Sequence, residues 1–345
     1  MYLREANLSN NKMKNYWFIV FLIFISPIIL DAQIPLNYYQ STKGLTGADL
    51  KKKLNEIISG HLVISYQNTD EILSIIGRDP NDTERVILVY SRRSDLQSNC
   101  CSSGWNREHV WPNSYGIDKV GPAYSDIHAL RPCDSNVNSS RGNKYFDESD
   151  PSSNSYRLIA HPEARLCSSD HNSWSPPESI KGDIARSLFY MDVRYEGLGN
   201  DPDLELTDKL NLINSSSSYM GSLSTLLIWH LIDPVSEDEI SRNNLAYRYQ
   251  KNRNPFVDNP KWVQSIWGNP LSLNIVKDKK TVRLEWPSKA PRIFVESSND
   301  LKIWRKINDT NYLYNESVKF IEFPLKAKSY YRLKTNDNLN KSSKC

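Results

Sequence analysis

No strong charge bias marks this sequence. Its 43 lysines and arginines stand against 40 aspartates and glutamates, a net charge of +3 over 345 residues. The basic face that usually announces a nucleic-acid binder is therefore invisible in the totals. No internal repeat occurs, so a solenoid or repeat array is excluded. Cysteine is scarce, with 5 in all. Cys100, Cys101, Cys133 and Cys167 share the central region, where one or two bridges fit, and Cys345 is the expected spare. Their connectivity does not follow from spacing. His161, Cys167 and His171 are near one another but match no tight zinc-ligand spacing. Long hydrophobic runs are also lacking after the first thirty or so residues.

That first run is informative. Lys12 and Lys14 precede the apolar stretch Tyr16 to Leu30, and Ala32 offers a small residue before Gln33. The pattern fits a signal peptide over 1–32, with translation starting at Met1 or at Met13. The run is short for a membrane span and no basic stop-transfer flank follows it. Export to an extracellular or periplasmic compartment is the expectation, without stable membrane association afterwards, and export permits disulfides.

The remaining chain is 39% hydrophobic and 24% charged overall, enough for a packed body. Aromatic content is 11%, and most of those rings are expected in the core. Leu50, Leu54 and Ile57-Ile58 predict a helix from Thr46, with Thr46 as its cap. Arg85 to Tyr90 reads as a strand. Ser94 to Asp134 is rich in turn formers and reads as loop, or as a site built on loops. Helices follow over Ser179–Tyr195 and Met220–Leu231, then from the capping box at Ser236-Glu-Asp-Glu239 through Tyr249, and over Lys261–Trp267. From there the period changes to two, as in Val282, Leu284 and Trp286. The expected class is α+β: a mixed domain over 33–270, a small β-rich domain over 271–337, and a polar tail over 338–345.

Two segments concentrate chemistry. Trp105-Asn-Arg-Glu-His-Val-Trp-Pro112 carries Glu108 beside His109. A neutral imidazole can take a proton from water at physiological pH, and a carboxylate can hold a hard cation. Alone the dipeptide is weak, and no second histidine follows at zincin spacing. The second segment runs from Asp126-Ile-His128-Ala-Leu-Arg131-Pro to Asn136-Val-Asn138-Ser-Ser-Arg141-Gly-Asn143. Its amide oxygens suit a hard metal and its arginines suit phosphate, although a hydrogen-bonded loop of Asx turns uses the same residues.

Together, and in this order, the two segments resemble the endonuclease I family, whose members carry a ββα-metal finger. Pro176 to Arg186, Arg194-Tyr195, Asp233 to Glu239, Arg242-Asn243 and Gln250 to Phe256 extend the resemblance over roughly 37–268. It implies a nuclease acting on DNA, with RNA left open, that uses one Mg²⁺ or a similar divalent ion such as Mn²⁺ or Ca²⁺ and leaves 5′-phosphates. It implies His109 as general base and Glu108 as first metal ligand. The second ligand is an asparagine on the finger's helix, with Asn138 or Asn143 favoured over a position near Asp150 or over His128. Relatives often carry an acid where this chain has Asn136, and an arginine where Pro122 stands. Arg131 or Arg141 then serves the phosphate. His128 is expected to be structural and Trp111 to pack the finger. Arg186, Arg194, Arg242 and Arg253 either face nucleic acid or brace helices. The chain is read as a monomer. Two other readings use the same residues: a phosphoesterase for small esters, or a non-enzymatic secreted binding protein.

Overall fold

Leu50, Leu54 and Ile58 recur at helical spacing and form the buried stripe of helix α1 (Gly47–Ile58). The computed structural model describes residues 34–269 apart from 102, 103 and 120, together with 274–277, 281–287, 293–307, 313–314, 318–324 and 330–335. The expected signal peptide, the polar tail and Cys345 lie outside the described residues. Among the described residues no helix is long and apolar enough to cross a membrane.

After α1 come α2 (Thr69–Ile76) and a small antiparallel sheet of β1 (Arg78–Asp79), β2 (Asp82–Ile87) and β3 (Ser94–Leu96). The antiparallel pair β4 (Trp105–His109) and β5 (Leu130–Asp134) leads into α3 (Ser135–Arg141). A three-stranded sheet follows, made of β6 (Tyr145–Phe146), β7 (Ser168–Ser169) and β8 (Ser173–Ser175). Helix α4 (Lys181–Arg194) runs through the interior. A two-stranded pairing of β9 (Glu205–Leu206) with β10 (Tyr219–Met220) precedes α5 (Leu223–Ile232), α6 (Glu237–Gln250), α7 (Pro255–Asp258) and α8 (Lys261–Trp267).

The described residues after 273 hold the strands β11 (Asn274–Lys277), β12 (Thr281–Pro287), β13 (Ile293–Ser298), β14 (Arg305–Lys306), β15 (Leu313–Tyr314), β16 (Val318–Pro324) and β17 (Tyr330–Thr335). They form two antiparallel sheets, ordered β11-β12-β16-β15 and β14-β13-β17. Leu284 faces Ile321 across the first, both buried, as period-two alternation requires. The class is α+β, as expected.

Two cores flank the β4–β5 pair. Trp105 and Leu130 are buried with Ile72 and Leu73 of α2, Val86 of β2 and Ala246 of α6. Val110, Cys133 and Val137 belong to the larger core around α1, α4 and α5. The polar middle of β4 is thus clamped between two hydrophobic bodies. That explains one departure from expectation. The stretch 94–134 holds β3, β4 and β5 rather than loop alone, because Asn106-Arg-Glu-His109 shows no apolar alternation from which a strand could be read. A second departure concerns 85–90: the strand ends at Ile87, and Val89 instead donates its N–H to the Pro132 carbonyl at 2.8 Å. Capping also differs in detail. Thr46 stands at the N-cap of α1 without a side-chain bond, whereas the Ser236 hydroxyl accepts from the Glu239 N–H. The Glu239 carboxylate does not complete the box, because it binds Arg186.

Three buried histidines resist protonation in the folded chain. Burial lowers the pKa of His61, and lowers those of His128 and His230 to about 4. Their ordinary value is near 6.5, so the unfolded chain binds protons that the folded chain refuses. Their stabilising effect is present above about pH 6.5 and is lost as pH falls toward about 4. Buried carboxyls raised by desolvation, those of Asp192, Asp233 and Glu239, act in the opposite direction as pH falls, so the rings are read singly. The His128 and His230 signals in proton–nitrogen spectra should stay those of neutral imidazole down to about pH 5, and titration of either ring near its ordinary value of about 6.5 would contradict its neutral, buried state.

Candidate active site

Alternation along β4 sorts the candidate residues onto two faces. The register pairs Asn106 with Cys133, Glu108 with Arg131, and His109 with Leu130. Asn106 and Glu108 meet α3, while Arg107 and His109 meet the aromatic rings of Tyr66 and Tyr124. The α3 sequence, Ser-Asn-Val-Asn-Ser-Ser-Arg, has little intrinsic helix propensity. Its ends and one face hold it instead. The Asp134 carboxylate accepts from the Asn136 N–H, Val137 is buried, and Gly142 at φ 57° takes the left-handed turn that stops the helix.

Glu108 is 2% exposed. Its Oε1 accepts from the Tyr90 hydroxyl at 2.5 Å and faces the Arg141 guanidinium at 3.1 Å. Burial raises its pKa, against the pull of Arg141 and Tyr90 in the other direction. Arg141 is itself buried, and donates to the carbonyls of His109 at 3.0 Å and Val110 at 2.9 Å. Helix α3 is in this way tied to the strand that carries both Glu108 and His109. Asn138 donates from Nδ2 to Asn106 Oδ1 at 2.6 Å and to the Arg107 carbonyl at 3.2 Å. Those bonds fix its amide, and its Oδ1 has no partner among the described contacts.

His109 is half-buried. Its Nε2 lies 2.9 Å from the Tyr124 carbonyl. A carbonyl can only accept, so Nε2 carries the hydrogen, and Nδ1 of the neutral ring is left as the proton acceptor. The ring stacks near Tyr124 at 5.0 Å and Tyr66 at 5.7 Å. Arg107 lies 3.9 Å over the Tyr66 ring and donates to the Tyr66 carbonyl. Burial lowers the His109 pKa to about 4; the Tyr124 carbonyl pulls it up, and the charges of Arg107 and Arg141 push it down. The ring is therefore neutral at physiological pH.

The Tyr124 carbonyl is fixed from behind. Tyr124 sits in a 3-10 turn that ends at Ser125, and the next residue, Asp126, is buried. The Asp126 carboxylate accepts from the hydroxyls of Tyr190 at 2.8 Å and Tyr195 at 2.7 Å, and from the Gln250 amide at 2.8 Å. His128 Nε2 donates to the Asn252 carbonyl, the structural role expected of it. Trp111 is fully buried and donates to the Tyr115 carbonyl.

The other candidates separate. Arg131 is the cross-strand partner of Glu108, but its guanidinium reaches Ser187 at 3.2 Å and lies 4.0 Å from Asp183. Its buried Nε has no partner among the described residues. Asn143 lies past the end of α3, on the wall of a cleft with Tyr115 and Lys144. Arg186, Arg194, Arg242 and Arg253 are all buried. Arg186 pairs with Glu239, Arg194 with Asp201, and Arg253 with Asp258, while Arg242 donates to the carbonyls of Ile127 and Leu130. They brace helices. Tyr90, Asn106 and the Tyr124 carbonyl were not visible as site groups in the sequence. Tyr90 closes an apolar run, and a backbone carbonyl has no sequence signature at all. Cys100 and Cys101 are paired with each other, and Cys133 and Cys167 are buried thiols.

The family model of endonuclease I matches residues 46–261, well over half of the chain. The chain belongs to the endonuclease I family. It is similar to an extracellular ribonuclease of Bacillus amyloliquefaciens, with 44% identity over 247 residues, 70% of this chain and 82% of the relative. It is also similar to an extracellular ribonuclease of Bacillus subtilis, with 44% identity over 236 residues, 67% of this chain and 78% of the relative. The matched span contains β4, β5, α3 and every residue of the candidate site. Like its family, the chain is an enzyme that cleaves nucleic acid.

Arg141 offers the sharpest structural test. Arg141→Leu leaves the Glu108 carboxylate buried without its counter-charge, a loss of about 3–5 kcal/mol. Urea unfolding should show it. A change below about 1 kcal/mol, the scale of a surface ion pair, would mean that the contact does not hold the unit together.

Proposed function

We propose that this endonuclease I enzyme is a secreted nuclease of low sequence preference, cleaving RNA as well as DNA, with His109 as general base and Glu108 and Asn138 as ligands of one divalent cation. The observation that carries the reading is the His109 Nε2–Tyr124 carbonyl bond, which leaves Nδ1 as the acceptor. The unit β4–β5–α3 is read as the family's ββα-metal finger. The relatives named as extracellular ribonucleases support both RNA as substrate and export, and the basic-then-apolar segment before Ala32 supports a cleaved signal.

The residues fit a hard cation such as Mg²⁺. Glu108 commits only Oε1 to protein partners, and Asn138 commits only its Nδ2. Two oxygen donors on facing elements are thus left over, and Mg²⁺ commonly takes one or two protein oxygens, with water and phosphate completing its shell. When bound, such an ion supplies charge neutralisation at the phosphate and the leaving oxygen. The chain does the rest. His109 Nδ1 takes the proton of the attacking water. The Tyr124 carbonyl holds the ring in the required tautomer, and Asp126 holds the segment that carries Tyr124. Arg141 is a positioning residue, since protein groups take both of its terminal nitrogens. Arg131, the cross-strand neighbour of Glu108, is read as the cation that meets a phosphate oxygen. Attack of water on phosphorus and departure of the 3′ oxygen leave a 5′-phosphate on the product. Contacts made through phosphate carry no sequence information, which accounts for broad cutting.

His109→Ala should lower kcat/KM on a structureless RNA by about 10²- to 10⁴-fold with the circular dichroism unchanged. Wild-type rates in that variant would refute the assignment. Binding of Mn²⁺ measured by calorimetry should weaken in Asn138→Ala and persist in Asn143→Ala. The reverse pattern would make Asn143 the ligand.

A further inference from the structure

A cleft of about 490 Å³ opens beyond the C-terminal end of α3. Its walls come from the finger and from two segments packed beside it. Tyr115 belongs to the turn after β4, while Asn143, Lys144 and Tyr145 follow α3 directly. Asn172 and His171 come from the turn before β8, and Asn211 with Ile213 from the segment between β9 and β10. The volume lies within the range of small-molecule sites, about 300–1,000 Å³.

The lining has a consistent chemistry. No carboxylate belongs to it. Lys144 brings a positive charge, and its Nζ donates to the His171 carbonyl at 3.1 Å, which leaves ammonium hydrogens free. The side-chain amides of Asn143, Asn172 and Asn211 have no partner among the described contacts. Each offers two N–H donors and an acceptor oxygen. Tyr115 and Tyr145 supply aromatic surface, and burial pushes the Tyr145 phenol up to about 12, so its hydroxyl stays neutral. Cationic, amide-rich and aromatic together is the complement of a nucleotide. The phosphate meets the ammonium, the base edge meets the amides, and the base face meets a tyrosine.

The placement fits a nucleic-acid strand already engaged at the finger. Asn143 follows Asn138 by five positions, two residues past the end of the helix that carries Asn138. A strand whose phosphate sits at Asn138 brings a neighbouring nucleotide to this wall. A base inside a duplex has its edge paired and its faces covered, so only an unpaired nucleotide can enter. We propose that the cleft lined by Tyr115, Asn143, Lys144, Tyr145, Asn172 and Asn211 is a subsite for one nucleotide of a single strand, and that it gives the enzyme a preference for unpaired RNA or DNA over duplex. This rests on the reading of Asn138 as part of the metal end of the site.

The test uses the full secreted chain and the double variant Lys144→Ala/Asn211→Ala, with Tyr145→Leu as an independent variant. KM for a structureless oligoribonucleotide should rise about tenfold in each, with kcat nearly constant. Cleavage of bis-para-nitrophenyl phosphate, a diester without a nucleobase, should not change. Calorimetric binding of adenosine monophosphate should weaken by a similar factor, a readout that needs no turnover. Unchanged KM and unchanged nucleotide binding would overturn the proposal, as would equal losses on both substrates. Failure of the catalytic reading looks different: His109→Ala would then cut at wild-type rates whatever the cleft variants do.

Discussion

Arg141 is the contact on which the rest of the site depends. One buried guanidinium reaches the Glu108 carboxylate and the carbonyls of His109 and Val110, and so locks α3 against β4. The helix it anchors has a sequence that would scarcely be helical alone. Without that anchor, Asn138 loses its register with Asn106 and Arg107, and the two proposed ligand oxygens lose their common setting. A buried ion pair is weak grounds for stability in itself, since desolvation opposes the attraction. Here its stated role is geometric: it fixes which residues of a helix face which residues of a strand.

A second layer fixes His109. His109 leans on the Tyr124 carbonyl, and Tyr124 is held because Asp126 is gripped by Tyr190, Tyr195 and Gln250 from α4, the residue after it, and α6. The interior helices therefore reach the His109 ring through one carboxylate and one carbonyl. The arginines of the same helices follow this logic. Arg186, Arg242 and Arg253 commit donors to protein groups, which ties α4, α6 and α7 into one frame behind β4, β5 and α3. A moderate net charge is then no obstacle to nucleic-acid chemistry, because the charges that matter are few and placed.

Much of this was legible in the sequence, for physical reasons. Helices α1, α4, α5 and α6 showed their apolar stripes or caps, and Ser236 does cap α6. The strands after residue 273 showed their period of two. Glu108 and His109 stood out because six ordered motifs surround them. Strands β4 and β5 did not show, since β4 is polar along its middle and its burial comes from two flanking cores rather than from alternation. Nor could the sequence choose between Asn138 and Asn143. The two residues separate where Gly142 ends the helix: Asn138 lies inside it facing β4, whereas Asn143 lies beyond it in the cleft. The roles of Arg131 and Arg141 were exchangeable on paper, and separate only once their donors are traced.

The central claim is that the Tyr124 carbonyl sets the tautomer of a neutral His109. Long-range proton–nitrogen correlation spectra of the His109 ring at neutral pH test it directly. The account predicts hydrogen on Nε2 and an unprotonated Nδ1. Hydrogen on Nδ1 with a bare Nε2, or a doubly protonated ring, would contradict it.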